Sequence, residues 1–240
     1  MTWDVFNLIG TIAFAVSGAI VAMEEAYDLF GVFVLAMVTA FGGGLIRNVL
    51  IGLPVSHIWA QGTLFTTAFL ATAVLIILPA TWIQRWLRWN FVFDAIGLSA
   101  FAIQGALYAA GMRYSLGTIV VAAVMTGIGG GIVRDVLAGR KPLVLRDEIY
   151  ALWAVLAGFA VGMRWVGPSQ PWGLYGLLVA VSGLRVLSVL RGWRIPRRSL
   201  RPSRTPIPDV DPDDTPTPTS GAGPGTGDAS ETSVHHGGGD

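Results

Sequence analysis

The sequence predicts an all-α integral membrane protein whose seven transmembrane helices form two inverted three-helix repeats plus a seventh helix. Composition is the first observation, because 53% of the 240 residues are apolar and only 13% are charged. The second is a series of seven apolar runs along the chain. The third is an internal repeat that aligns residues 6–52 with residues 93–139 without a gap.

The apolar runs give the helices in order. The first run follows Met1 with neither a basic segment nor a small-residue cleavage pattern, so we expect a retained helix and not a removed signal peptide. The third run ends at Pro79, and residues 82–89 then alternate tryptophan with arginine, as in a membrane-interface belt. The predicted spans are residues 5–23, 29–51, 62–80, 91–110, 116–138, 149–166 and 172–190.

The end of the chain differs from the rest. Residues 193–240 begin with several arginines and then become rich in proline, glycine, threonine and aspartate. Such a segment buries too little apolar surface to offset its ordering entropy, so we expect a disordered tail. The predicted divisions are therefore a first three-helix repeat at 1–87, a second, inverted repeat at 88–168, a seventh helix at 169–192 and the tail at 193–240.

The repeat and the basic residues predict the topology. Roughly twenty aligned pairs are identical, as expected of a duplicated half. Three helices are an odd number, so the second copy enters the membrane from the opposite side. The arginines between 191 and 204 predict a cytoplasmic C-terminus, and seven spans then place the N-terminus outside. The same orientation puts Arg140, Lys141 and Arg146 on the inner side.

The most informative stretch is residues 39–50, which returns as residues 126–137. Each copy places three glycines inside an apolar run and an arginine, Arg47 or Arg134, three positions further on. Three glycines, each costing about 1 kcal/mol in a helix interior, should interrupt or bend the helix. Lipid tolerates such a break only where protein or a water-filled cavity surrounds it. The glycines concerned are Gly42, Gly43, Gly44, Gly129, Gly130 and Gly131.

The motif therefore indicates a transport site, while close helix packing at glycine is the alternative. In a broken helix, freed carbonyls would suit a cation, whereas the amide ends and the arginines would suit an anion. The electrostatics alone do not decide what passes, and a zwitterion would satisfy both ends.

The charged residues of the motif are expected to line a pore or form ion pairs. An arginine facing lipid near the bilayer centre costs about 2.5 kcal/mol or more, although snorkelling to the interface is the alternative reading of Arg47 and Arg134. Asp135 follows Arg134 directly, but adjacent side chains on a helix diverge by about 100°. A partner on another segment, such as Asp94, is therefore expected. Asn48 stands where the second copy has Asp135, so the two copies differ in charge.

A stripe of small residues recurs in the first and fourth spans with Phe14 and Phe101 inside it. The spacing favours close helix packing. The two phenylalanines would form an apolar constriction if the stripe faces a cavity. The stripes are Gly10-Phe14-Gly18-Ala22 and Gly97-Phe101-Gly105-Ala109.

Several functions are not indicated. The chain has no cysteine and only three histidines, two of them in the tail, so we expect no metal site. It contains neither a nucleophile elbow nor a P-loop, and its glycine triplets do not follow a strand. We therefore expect no catalytic residues, no cofactor and no nucleic-acid partner.

The paired GGGxxR[DN] motifs, the inverted repeat and the seventh helix together resemble the prokaryotic TRIC (trimeric intracellular cation) channels. These proteins share a domain also known as a glycine-transporter domain, and the resemblance covers about residues 5–190. It implies a homotrimer with a potassium-permeable pore in each protomer, bounded by kinked second and fifth helices. The implied site residues are the six glycines, Arg47, Arg134 and Asp135, while the tail lies outside the resemblance.

The function predicted from the sequence is passive conduction of monovalent cations, chiefly potassium, across the inner membrane. One alternative is a carrier for glycine or another small zwitterion. Another is a structural membrane protein whose glycines only pack helices.

Overall fold

The computed structural model describes residues 2–56, 61–79, 88–146 and 149–193. In these ranges the secondary structure is α-helical, and a helix lies in each predicted span. Residues 82–87 of the predicted interface belt and the tail from residue 194 lie outside the described residues. The helices are α1 (Thr2–Glu24), α2 (Leu29–Ile51), α3 (Gly62–Ile77), α4 (Asn90–Gly111), α5 (Leu116–Leu137), the single turn α6 (Leu143–Arg146), α7 (Ile149–Gly162) and α8 (Pro171–Leu190).

Most of these helices can cross a bilayer. In the described part of the chain, α1, α2, α4, α5 and α8 are long and apolar enough to do so. The helices α3 and α7 are apolar but have only 16 and 14 residues. Fourteen residues extend about 21 Å, against a hydrocarbon core of about 30 Å. The all-α membrane fold is confirmed, and a seven-fold crossing that includes α3 and α7 stays a prediction.

The ends of α2 and α5 are specified in the same way. The side chains of Asp28 and Ser115 each accept the N–H of the residue three positions on, which satisfies a free amide of the first turn. After the last turn the chain passes through Gly52 and Gly139, with φ of 74° and 69°. This left-handed conformation favours glycine. Because Gly52 and Gly139 are aligned in the repeat, the sequence repeat corresponds to a repeat in local structure.

Four helices form the centre of the protein. The pairs α1–α2, α4–α5, α1–α4 and α2–α5 are in extensive contact, while α3 packs on α1 and α2, and α7 and α8 pack on α4. A methyl group on Gly18 would lie 2.8 Å from the carbonyl oxygen of Leu35, and one on Gly105 would lie 2.5 Å from that of Ala122. The small-residue stripes therefore bring α1 close to α2 and α4 close to α5, which confirms their predicted packing role.

Candidate functional site

The helices α2 and α5 cross in direct backbone contact at the middle glycine of each triplet. A methyl group on Gly43 would meet the carbonyl oxygen of Thr126, and one on Gly130 would meet that of Thr39. Gly43 lies after Thr39 in α2, but its partner Thr126 lies before Gly130 in α5. The two helices therefore run antiparallel. Glycine at the crossing lets the backbones approach more closely than any side chain would allow.

The prediction that the triplets interrupt their helices is wrong. The helix α2 continues without a break from Leu29 to Ile51, and α5 from Leu116 to Leu137. Their triplet carbonyls and amides therefore stay within the helical hydrogen bonding and are not freed to bind a solute. The cost of glycine, about 1 kcal/mol per residue, is offset by the contact between two backbones. A bend within the continuous helices stays a prediction.

The other glycines of the triplets face different neighbours. Gly42 and Gly129 face the opposite helix, since a methyl group on Gly129 would lie 3.1 Å from the Cα of Gly43. A methyl group on Gly44 would lie 3.8 Å from Nη2 of Arg47. One on Gly131 would lie as far from Nη2 of Arg134 and closer, at 3.0 Å, to the hydroxyl of Tyr150. The third glycine of each triplet thus leaves room beside its arginine.

Phe14 and Phe101 lie between the two halves, and their ring centroids are 5.3 Å apart in an edge-to-face contact. Each ring packs on a glycine of the other copy, Phe14 on Gly97 and Phe101 on Gly10. Phe14 also reaches the crossing, since a methyl group on Gly130 would lie 2.9 Å from its ring. Both side chains are buried, so they form an apolar layer at the level of the helix crossing.

Beyond the crossing, Arg134 lies in a buried polar cluster whose members come from four helices. Its Nη1 donates to Oδ1 of Asp94 at 2.9 Å and to Oγ of Ser17 at 2.6 Å. Its Nε and Nη2 each lie 2.8 Å from Oδ1 of Asp135. The hydroxyl of Tyr150 donates to the same oxygen of Asp94 at 3.1 Å. These five residues, which we call the Arg134 cluster, pair a buried guanidinium with two carboxylates, an arrangement common for a charge inside a membrane protein.

The structure places Asp94, the partner expected from another helix, in contact with Arg134. Arg134 also pairs with the adjacent Asp135, a partner that helical spacing had made less expected than one on another segment. The arginine side chain is long enough to bend back over its own helix and reach the adjacent carboxylate. The second oxygen of Asp135 accepts the N–H of Leu143 at 2.9 Å, so this carboxylate also ties α5 to α6.

On the other side of the crossing, the partners of Arg47 in the described part of the chain are uncharged. Its Nε and Nη2 donate to Oδ1 of Asn48 at 3.1 and 2.9 Å, and its Nη1 donates to Oε1 of Gln104 at 3.3 Å. Its guanidinium carbon lies 4.0 Å from the ring centroid of Tyr108, a cation–π contact. We call these four residues the Arg47 cluster. Among the described residues, no carboxylate forms an ion pair with Arg47.

Neither Ser17 nor Gln104 is among the residues predicted from the sequence, yet each binds the arginine of the opposite copy. The two residues are aligned in the repeat, and both lie on the stripe-bearing helices α1 and α4. One is serine and the other is glutamine, so a comparison of the two copies for identical residues does not find them. A search for polar residues of any type at aligned positions inside apolar spans would have found both.

The Arg134 cluster forms part of the wall of a cavity of about 390 Å³ that is lined by basic, acidic and apolar side chains. Two oxygen atoms of α4, Oδ1 of Asn90 and Oδ2 of Asp94, are buried and have no hydrogen-bond partner among the residues that the structure describes. Both residues line this cavity, so it offers two free acceptors to a solute or to water. The lining residues are Val21, Asn90, Phe91, Asp94, Arg134, Asp135, Arg140, Lys141, Leu143 and Arg146.

One lining residue connects the cavity to the end of α1. Arg140 donates from Nη1 to Glu24 at 2.7 Å and from Nε to Glu25. Burial lowers the pKa of Arg140, but the hydrogen bonds and charges of Glu24 and Glu25 outweigh it, so the pKa is raised above its ordinary value. The residue therefore stays charged, and these contacts join the loop after α5 to the end of α1.

Comparison with known proteins identifies the family. Residues 4–80 and residues 91–165 each match the family model described as "Glycine transporter". The chain is 55% identical over 201 residues to the UPF0126 membrane protein YvgT of Bacillus subtilis (strain 168), covering 84% of this chain and 98% of the relative. It is 38% identical over 156 residues to the UPF0126 inner membrane protein YadS of Escherichia coli (strain K12), covering 63% of this chain and 73% of the relative.

The fold has a solved counterpart in a structure described as the basis for conductance through TRIC cation channels. That chain is 34% identical, superposes with a TM-score of 0.71, and is matched over its whole length by 85% of this chain. The predicted resemblance is confirmed by sequence and by structure, and the relatives are membrane proteins and channels, not enzymes. The chain is therefore a multi-pass integral membrane protein that belongs to the glycine-transporter-domain family, with UPF0126 relatives and the fold of the TRIC cation channels.

Proposed function

We propose that the protein is a passive, potassium-permeable cation channel with a pore between α2 and α5 of each protomer. The observation that carries the proposal is the pair of buried polar clusters, one on each side of the α2–α5 crossing, with a cavity reaching the Arg134 cluster. Ionisable groups inside a membrane protein are costly and commonly mark ion pathways. The 34% identity to a TRIC cation channel supports the same function.

The proposed path enters through the 390 Å³ cavity and passes the Arg134 cluster, including Asp94 and Asp135. It then meets the layer formed by Phe14, Phe101 and the glycine crossing, which we propose as the constriction. Beyond this layer it passes Arg47 and Asn48. The narrow crossing at Gly43 and Gly130 fits a path that opens by a small separation of two helices and not by the breaking of either.

The proposed architecture is seven crossings in two inverted three-helix repeats, with the divisions predicted from the sequence. It is supported by two separate matches to one family model, by the antiparallel crossing of α2 and α5, and by the exchange of equivalent contacts between the copies. The proposed repeats are residues 1–87 and 88–168, followed by the seventh helix at 169–192 and a cytoplasmic tail at 193–240.

The assembly and location are proposed from the relatives and from the distribution of charge. We propose a homotrimer, since a TRIC channel to which the chain is similar, from Rhodobacter sphaeroides, is trimeric by name. A relative in Escherichia coli is an inner membrane protein, so we propose the same membrane here. Basic residues of the loop after α5, Arg140, Lys141 and Arg146, support a cytoplasmic C-terminus and an external N-terminus. The cavity at Arg134 is then the inner mouth.

A carrier for glycine or a similarly small zwitterion is the second candidate. The family description supports it, as does the composition of the cavity. The free oxygens of Asn90 and Asp94 could accept hydrogen bonds from an ammonium group, while Lys141 and Arg140 lie in the same wall to attract a carboxylate.

Flux through the pure protein in liposomes separates these candidates. We expect potassium efflux that follows the gradient without saturating, because a channel conducts ions passively and does not bind and release one solute in each transport cycle. We expect no accumulation of labelled glycine. Empty liposomes are the control. Saturable glycine uptake without potassium flux would replace the channel by a carrier, and the absence of both fluxes would favour a structural protein.

A further inference from the structure

The two arginine clusters occupy equivalent positions in the repeat but differ in charge. Asn48 stands where Asp135 stands in the other copy, and Asn7 stands where Asp94 does. The amide of Asn7 donates to Gln61 at 3.4 Å, and the hydrogen bonds of Arg47 to described residues go to Asn48 and Gln104. The half that contains Arg47 therefore has asparagine at both positions whose carboxylates neutralise Arg134 in the other half.

The positive charge of Arg47 is buried and has no opposite charge among its described partners. Arg47 is 3% exposed, and its partners Asn48, Gln104 and Tyr108 are uncharged. The Arg134 cluster has two carboxylates for one guanidinium. Even when Arg185 is included, whose guanidinium carbon lies 4.5 Å from the ring centroid of Tyr150, that cluster has no excess positive charge.

The clusters are also well separated along the path. Arg47 and Arg134 each lie four residues beyond the glycine at the crossing, and the antiparallel helices carry them in opposite directions. At 1.5 Å per residue, these eight residues separate the two guanidinium-bearing positions by about 12 Å along the helix axes. That is well over a third of the hydrocarbon core, so a cation meets the two charges one after the other.

We propose that Arg47 is the electrostatic barrier that limits cation passage and sets its charge selectivity. The inference rests on the proposed path between α2 and α5. A cation approaching Arg47 meets a full positive charge in a region with little water to screen it, whereas at Arg134 the charge is already neutralised. Asn48 is the residue that maintains the barrier, because it holds the guanidinium with an amide oxygen where Asp135 supplies a carboxylate.

The repeat supplies both the test and its matched control. Asn48→Asp gives Arg47 the adjacent carboxylate that Arg134 has, and Asp135→Asn gives Arg134 the amide that Arg47 has. Both replacements are nearly isosteric, and each uses a side chain that the protein already accommodates at the aligned position. Single-channel potassium conductance and the reversal potential in a potassium chloride gradient are measured for the full-length protein in planar bilayers.

We expect Asn48→Asp to raise the conductance several-fold and to increase the preference for potassium over chloride, since fixed charges in a narrow cleft change local ion concentrations by roughly tenfold or more. Asp135→Asn should lower both. Single-channel conductance does not depend on the amount of folded protein, so lost stability cannot produce this pair of opposite shifts. If the wild type conducts potassium but the two variants keep its values, or shift them in the same direction, Arg47 is not the barrier. The proposal that the protein is a channel would still stand. A wild type without cation current would overturn the proposed function and the barrier with it.

Discussion

Replacing Arg134 by glutamine is expected to destabilise the protein by about 3–5 kcal/mol, the effect of removing one partner of a buried ion pair. The change leaves the carboxylates of Asp94 and Asp135, which are 1% and 4% exposed, without the cation that balances them. It also removes the hydrogen bond to Ser17. The measurement is the thermal unfolding midpoint of the purified protein in detergent, together with the yield of folded protein.

The chain offers a matched control for this change. Arg47→Gln removes the same group from the aligned position, but its described partners are uncharged and no carboxylate among them is left unpaired, so the loss of stability should be clearly smaller. Adding Asp94→Asn to Arg134→Gln should restore part of the stability, because one of the two uncompensated charges is removed. Equal losses in the two single variants, with no recovery in the double variant, would contradict the ion-pair account.

Replacing Gly130 by alanine is expected to cost about 1–3 kcal/mol, the usual range for a group forced into a close contact. The new methyl group would meet the carbonyl oxygen of Thr39 and the ring of Phe14, so α2 and α5 must separate. This loss exceeds the gain in helix propensity, which is about 1 kcal/mol for glycine to alanine. The same unfolding measurement in detergent gives the size of the effect.

Gly44→Ala is the control from within the triplets. Its methyl group would meet only Nη2 of Arg47, at an ordinary contact distance of 3.8 Å, so the variant should be as stable as the wild type or more stable. If the Gly130→Ala protein is more stable than the wild type, the glycine triplet acts by lowering the helix propensity of α5. It would not then act by permitting close packing of α2 against α5.

Much of the fold could be predicted because a segment that crosses a bilayer must be a long apolar run, which is visible in a sequence. Apolar runs of sufficient length gave all the described spanning helices, since lipid accepts few charges, and the shift of 87 positions revealed the duplicated half. The meaning of the glycines could not be predicted from one chain. Glycine weakens a helix and also permits close contact, and only the neighbouring helix decides which property is used.

The candidate site was predicted in part for a similar reason. The arginines could be found because a charge inside an apolar run is unusual, and Asp94 because it is an acidic residue near the start of a span. The contact of Arg134 with Asp135 was missed because helical spacing describes where side chains leave the backbone and not where a long side chain ends. The part played by Tyr150 depends on the packing of α7 against α4, which no local pattern specifies.

The most direct test of the central claim is whether a charged group attached inside the proposed path stops potassium current. The chain has no cysteine, so single substitutions can be labelled without a change of background. Asn90→Cys lies in the cavity wall and Gly44→Cys beside Arg47, whereas Val136→Cys on α5 is 58% exposed on the outer surface of the protein and serves as the control. The reagent is a positively charged methanethiosulfonate.

We expect the reagent to block potassium current in Asn90→Cys and Gly44→Cys, and to reach Asn90→Cys from the side that carries the C-terminus. The Val136→Cys protein should keep its current after the same treatment. Full labelling of Asn90→Cys and Gly44→Cys, verified by mass, with undiminished potassium current would show that ions do not pass between α2 and α5.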